Sequence, residues 1–397
     1  MLISRLFLAT ICLIIYGSLY PFHFHSRELT ANPVRILAHT WPTHFVPNQI
    51  KDVIVNVLLY APLGLIGFLS LSNARLRFVA GGATIAIGFA LSCGMEILQL
   101  FDAGRDTSAM DVLSNTAGSG VGVACGVLFE SYLRNIQAGL QTIRWNQKGS
   151  LLLLVCFAAR ELAPFFPDYS PSRVWHKGIV LVSVNEFSVG VFLASLVEWL
   201  AVARLVETAT VSPWVSRVYL VLLALVPAKI LVIGRTTNRM ELAGAALAYF
   251  VWRYWLQRSG WRSPLLAVLF TTLIVLRGLS PFDFMSEATA FSWIPFRALL
   301  ATGRLAAISI FFGKLFACGT LVWLLRDSGW RMRYAAAGAA AILAAIEAAQ
   351  IYLPGRVPAI TDPLLALLLA WILRVLDGAS DTLHDFASTA LHSKKAD

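Results

Sequence analysis

The stretches EILQLFDAGRDTSAMD at 96–111 and EAAQIYLPGRVPAITD at 347–362 carry five identities at the same five offsets. Glu96, Gln99, Gly104, Arg105 and Asp111 answer to Glu347, Gln350, Gly355, Arg356 and Asp362. A partial third copy keeps Gly234, Arg235 and Glu241, with Val226 and Lys229 where the Glu and Gln would stand. Upstream of each copy lies a second phrase: SLYPFHF at 18–24, ELAPFFPD at 161–168 and GLSPFDF at 278–284. Each has a leucine (Leu19, Leu162, Leu279) two residues before Pro-Phe. Proline cannot donate to a continuing helix, and a phenyl ring suits a membrane interface, so the phrase reads as a helix end. From Pro-Phe to Gly-Arg the separations are 83, 70 and 74 residues, and such self-similarity bears on the architecture before any single motif does.

Between the phrases the chain is apolar. Hydrophobic residues make up 58% of the 397 and charged residues 14%, where soluble domains average about 45–50% and about 25%. Mean hydropathy is +0.70. Apolar stretches fall near 3–20, 51–72, 77–101, 111–133, 150–164, 179–203, 212–233, 240–258, 263–280, 305–325, 332–353 and 359–377. At about 20 residues per span these predict twelve transmembrane helices, four to each period. An even number per period makes the repeats parallel in topology, unlike the inverted repeats of many transporters. The expected fold is therefore an all-α polytopic membrane protein built as three parallel four-helix repeats, 1–148, 149–262 and 263–378, with a cytoplasmic tail at 379–397. This balance excludes a soluble enzyme, a disordered chain and a nucleic-acid binder, despite a net charge of +10. Lys and Arg divide 17 to 11 between the two sides of the predicted topology, which puts both termini in the cytoplasm. The first span lacks the small-residue pair of a signal-peptide cleavage site and is expected to stay attached.

Several polar residues interrupt the spans. Asp52, Asn56 and Tyr60 lie at i, i+4 and i+8 on one stripe of the second span. Glu96 and Gln99 sit near the outer end of the third, and Arg105, Asp111 and Asn115 follow through a tight loop into the fourth. Ionisable groups within spans are costly unless paired or hydrated, so these are candidates for a ligand site at the extracytoplasmic mouth. Arg105 has the geometry to grip a phosphate or carboxylate in two bonds, positioned by Glu96 and Asp111. The structural alternative is equally specific: Glu96 with Arg105 as a buried pair, Asn56 and Asn115 as interhelical links, and Ser108-x-x-Asp111 as a helix cap. In the last repeat Glu347, Gln350, Arg356 and Asp362 are weaker candidates, because Phe312, Phe316 and Ala366 replace Asn56, Tyr60 and Asn115.

Other features read as structural. Gly118, Gly122 and Gly126 are spaced by four and predict a close-packing seam. Arg160 and Arg277, each four residues before a Pro-Phe proline, are expected to snorkel outward. His23, His25, His39 and His44 match no metal-binding spacing, and the five cysteines contain no CxxC pair, so no metal, cofactor or disulfide framework is expected.

Three of these stretches together resemble the VanZ-like family: YPFHF at 20–24, DVIVNVLLYAPLG at 52–64 and EILQLFDAGRDTSAMDVLSNTAG at 96–118. The resemblance covers roughly the first 130 residues, with 263–378 as a divergent copy and the middle period as a remnant. It implies a multi-span protein of the bacterial cytoplasmic membrane, and the founding member is associated with low-level resistance to teicoplanin. The function expected is binding of an anionic or lipid-linked envelope component at the outer face, with membrane lipids and a lipid-linked precursor as partners. No nucleophile–base pair or nucleotide motif argues for chemistry. The alternatives are a membrane-embedded enzyme acting on lipid-linked phosphate or sugar through Glu96 or Asp111 with Arg105, and a transporter. Against the transporter, Pro62 and Pro227 do not occupy equivalent places.

Overall fold

A computed structural model describes residues 2–20, 22–25, 32–41, 47–71, 77–102, 107–136, 148–182, 188–211, 214–302 and 304–376. Among them the fold is helical, and β-pairing is confined to isolated bridges such as Phe24 with Asp102 and Pro167 with Val232. The chain divides into two compact units, Met1–Leu140 and Gln141–Asp397.

The first unit contains α1 (Leu2–Leu19), α2 (Pro33–His39), α3 (Pro47–Leu71), α4 (Arg77–Gln99) and α5 (Ala109–Ile136). Its closest contact is between α3 and α5, and the glycine spacing explains it. A Cβ on Gly118 would lie 2.5 Å from the carbonyl oxygen of Val57, and one on Gly122 would collide with the carbonyl of Ala61. Without side chains there, the two backbones touch, and dispersion attraction replaces the hydrophobic drive that lipid cannot supply. Around this seam Ile14, Tyr60 and Leu63 form a small buried cluster flanked by Phe7, Ile11 and Leu91.

The second unit contains α6 (Lys148–Leu162), α7 (Pro171–Val182), α8 (Val189–Ala209), α9 (Val215–Leu223), α10 (Leu225–Ala228), α11 (Arg239–Val251), α12 (Arg262–Leu279), α13 (Arg297–Ala301), α14 (Arg304–Asp327), α15 (Met332–Gln350) and α16 (361–376). Its core is larger and aromatic. Phe157 meets Trp199 edge-on at 5.1 Å and Phe316 at 5.1 Å, and Trp199 meets Tyr219 at 5.4 Å.

Six described helices are long and apolar enough to cross a membrane: Asp52–Leu71, Arg77–Gln99, Val189–Ala209, Arg262–Leu279, Ala306–Asp327 and Met332–Gln350. Two of the remaining predicted spans differ from expectation in identifiable ways. Within the described residues α6 has 15 residues, which at about 1.5 Å per residue falls short of a hydrocarbon core about 30 Å thick. The stretch predicted at 212–233 is broken at Ala224, continues as α10 around Pro227 and closes in a 3₁₀ turn at Lys229–Leu231. Proline removes a helical donor there, and sequence apolarity alone does not register the break.

The Pro-Phe phrases share one local geometry. Phe22, Phe165 and Phe282 have φ of 65°, 66° and 66°, and their amides donate to Leu19, Leu162 and Leu279 at 2.7, 2.8 and 2.8 Å. The residue that follows each phrase, or ends it, then pairs with the loop preceding Gly-Arg. His25 N donates to Phe101 O at 2.8 Å, Asp168 N to Leu231 O at 2.8 Å, and Met285 N to Tyr352 O at 2.7 Å.

Candidate functional site

In the first unit the polar residues of α3, α4 and α5 meet. Ser92 and Glu96 are one helical turn apart on α4, and Asn115 Nδ2 donates to Ser92 Oγ at 2.8 Å. Asn56 on α3 donates to Ser114 Oγ at 3.2 Å, and Ser114 returns its own proton to the Asp111 carbonyl at 3.1 Å. Tyr60, only 1% exposed, places its hydroxyl beside Ser92 and Glu96. That hydroxyl and the carbonyl oxygen of Asn115 are both buried and make no hydrogen bond among the described residues. Native interiors rarely leave such groups unpaired, which singles these two out within the cluster. Asp52 and Asp111 lie one turn further along α3 and α5, toward the same end.

Two of the predicted residues are committed elsewhere. Glu96 Oε2 accepts from Ser108 N at 2.8 Å, and Thr40 Oγ1 accepts from Ala109 N at 2.9 Å. Together they satisfy donors at the start of α5 that have no partner within the helix, and the Glu96 carboxylate complements its positive end. The amide of Asp111 donates to Ser108 Oγ at 3.3 Å, as the capping spacing predicts. Gln99 Nε2 donates to Ser18 O at 2.8 Å and so ties α4 to the end of α1. Arg105 and His44 lie outside the described residues.

The weaker candidates have matching commitments. Glu347 Oε2 accepts from Ala359 N at 2.7 Å, twelve residues on, as Glu96 does from Ser108. Gln350 Nε2 donates to Gly278 O at 2.9 Å. Arg356 donates to Ser280 O at 3.1 Å and Arg277 O at 2.8 Å. Arg235 uses its guanidinium in the same way, on Ala163 O at 2.8 Å and on Arg160 O. In both described Gly-Arg steps the arginine therefore closes the carbonyl end of the helix before Pro-Phe. Asp362 is ion-paired with Lys314 at 2.5 Å.

The second unit holds a charge network that the sequence reading missed. Arg160 was expected to snorkel; instead it donates to both oxygens of Glu198, at 3.0 and 3.1 Å, and to Glu161 at 2.9 Å. Its guanidinium also lies 5.0 Å from the Phe157 ring and 5.1 Å from Phe316. Arg277 reaches the same Glu198, and Lys229 bridges Glu161 and Glu241. Each of the three carboxylates is therefore ion-paired, and Arg235 lies beside the group on the Ala163 and Arg160 carbonyls. The signal was present in outline: Glu198 interrupts an apolar helix and needs a cation, while the outward tilt assumed for Arg160 ignored that neighbour. In the loop that follows Pro164, Lys177 and Arg173 pair with Asp168 at 2.9 and 3.0 Å, and the Lys177 hydrogen bond holds its carboxyl below the ordinary carboxylate value.

Among the described residues no three metal-ligating side chains come together. Comparison with known proteins finds one family: residues 7–130 match the VanZ/LLP1 family model. No curated protein and no solved structure matches the chain. The matched segment contains α3, α4 and most of α5, with the whole Tyr60–Asn115 cluster. With its apolar helices and its α3–α5 glycine seam, the stretch from 7 to 130 is similar to the VanZ/LLP1 family.

Proposed function

We propose that this VanZ-like membrane protein binds a lipid-linked component of the bacterial cell envelope in its first unit, at the extracytoplasmic face, without turning it over. The observation that carries the reading is the pair of unsatisfied groups, the Tyr60 hydroxyl and the Asn115 carbonyl, beside Glu96. A donor and an acceptor left open in one buried place suit a hydroxyl or amide. The cluster therefore favours the sugar or peptide portion of an envelope precursor over its phosphate. The Gly-Arg arginine takes a smaller share, since Arg235 and Arg356 spend their guanidinium groups on main-chain carbonyls. Tolerance to a glycopeptide such as teicoplanin would follow if the bound precursor were the one the antibiotic recognises.

The architecture proposed with it is three parallel four-helix repeats with both termini in the cytoplasm. Supporting it are the three equal Phe turns, the twelve-residue Glu-to-amide contacts and the paired Gln-to-carbonyl bonds described above. Lys229 extends the pattern: it stands in the Gln position and reaches Glu161, the counterpart of Ser18 and Gly278.

The test is thermal unfolding of detergent-solubilised protein with a polyprenyl-diphosphate-linked amino sugar. Wild type should gain stability on binding. Tyr60→Phe should lose that gain while its unliganded melting temperature stays level or rises. A wild type that does not respond, or a Tyr60→Phe variant that responds fully, overturns the reading.

A further inference from the structure

A second site lies in the other unit, independent of the one above. Glu207, Val215, Ser216, Tyr219, Tyr249 and Trp252, with Arg253, Gln257 and Arg258, line a cleft of about 370 Å³. Ser195 bonds the Glu241 carbonyl near the start of α8 and α11, so the cleft, at the other ends of these helices, is remote from the Gly234-Arg235 loop. The charge count of the sequence puts that end on the cytoplasmic side.

Three features of the cleft point to an anion. First, the acids around it are already neutralised: Glu207 pairs with Arg204 at 2.6 Å and with Arg262 at 3.4 Å, and Asp327 pairs with Arg204 at 2.9 Å. Arg253 and Arg258, by contrast, make no ion pair or hydrogen bond among the described residues, which leaves two positive charges over. Second, the wall contains a buried donor with no acceptor among the described residues, the indole N–H of Trp252, a residue only 3% exposed. Third, the chain leaves α-helical geometry here. Trp252–Leu256 forms a π turn in which Gln257 N donates to Trp252 O at 2.9 Å. On an α-helix, residues five apart point about 140° away from each other. The wider turn lets Arg253 and Arg258 line one cleft, and π turns recur at functional sites for this reason.

We infer that this cleft binds a phosphate group through Arg253 and Arg258. An anionic phospholipid headgroup is the source favoured by the setting, because Tyr254, Trp255 and Trp261 beside the cleft are 70%, 77% and 79% exposed, and exposed aromatics of this kind sit at headgroup level. Free phosphate shares the chemistry and forms a separate arm of the test.

The experiment compares melting of the full chain in phosphatidylcholine nanodiscs, in the same nanodiscs containing phosphatidylglycerol, and in the first with inorganic phosphate added. Phosphatidylglycerol should raise the melting temperature of wild type. Titration should show affinity falling about fivefold for Arg258→Gln and about 30-fold for Arg253→Gln with Arg258→Gln. Arg217→Gln should respond as wild type, since Arg217 stacks on Trp214 at 4.8 Å and does not line the cleft. Both cleft arginines are exposed and carry no structural bond, so the variants should fold; Arg258→Lys, which keeps the charge, is the reserve and should retain most of the response. A response to inorganic phosphate that matches or exceeds the lipid response assigns the site to a soluble ligand. No response in wild type, or an equal response in the double variant, overturns the proposal.

Discussion

The two units handle polar groups within apolar helices in opposite ways. In the first, neutral side chains and single acids from α3, α4 and α5 form hydrogen bonds and leave the Tyr60 hydroxyl and the Asn115 carbonyl without one among the described residues. In the second, Arg160, Arg277 and Lys229 are matched against Glu161, Glu198 and Glu241, and Phe316 and Ala366 replace the open pair. A network in which every acid is ion-paired locks helices together and offers a ligand little. A cluster with open valences is less stable than it would be if filled, and that deficit is what a ligand can recover. The same phrases thus end helices in both units, and the contrast rests on particular side chains that can be changed.

The largest effect should come from the closed network. Glu198→Gln leaves Arg160 and Arg277 facing one another without their shared carboxylate, and breaking a buried pair typically costs about 3–5 kcal/mol. The expected outcome is a steep fall in melting temperature and abundance, with partial recovery when Arg160→Met is added. If Glu198→Gln melts like wild type, the network is not what holds the second unit together.

The glycine seam comes next. Gly118→Ala or Gly122→Ala forces α3 and α5 apart, and overpacking of this kind costs about 1–3 kcal/mol. Because the seam positions Asn56 and Tyr60 against Asn115, ligand response should fall in step with stability. Gly120→Ala, where a Cβ meets nothing within 4 Å, is the control.

Tyr60→Phe should change stability by less than about 1 kcal/mol, in the stabilising direction if anything, because it removes a buried hydroxyl that makes no hydrogen bond among the described residues. A clear loss of stability would mean that the hydroxyl is a structural bond, and the two units would then differ less than proposed. Arg105→Ala should also impair function more than Arg356→Ala, since only the first unit keeps Asn56, Tyr60 and Asn115. Greater damage from Arg356→Ala would place the site in the wrong unit.

The smallest effect concerns pH. The carboxyl of Asp168 is held below its ordinary value mainly by Lys177, with Arg173 contributing. A depressed acid contributes stability above its unfolded value, about pH 3.9, and loses it as pH falls through the folded value. Asp168→Asn should therefore lower the melting temperature slightly at neutral pH and converge with wild type in acid. A gap that persists in strong acid would assign the contribution to packing instead.

Much of this was legible without coordinates. Apolar length marked the membrane class, and the i, i+4 stripe of Asp52, Asn56 and Tyr60 identified the face of α3 that meets its neighbours, because helical periodicity is a local property. The glycines spaced by four predicted the seam for the same reason. Partner choice is not local. Whether Arg160 reaches solvent or Glu198 depends on a residue 38 positions away, and whether Glu96 serves a ligand or the amide of Ser108 depends on where a loop returns. The break at Ala224 was likewise hidden, since a kinked apolar run reads like a straight one. The sequence by itself determined the solvent the protein lives in and the repeating phrases that end its helices, since transfer energy and backbone chemistry are summed residue by residue. Only the tertiary structure decided which polar groups are satisfied and which are left open, because a hydrogen bond or ion pair is a property of two groups at a distance, and that distance is set by packing.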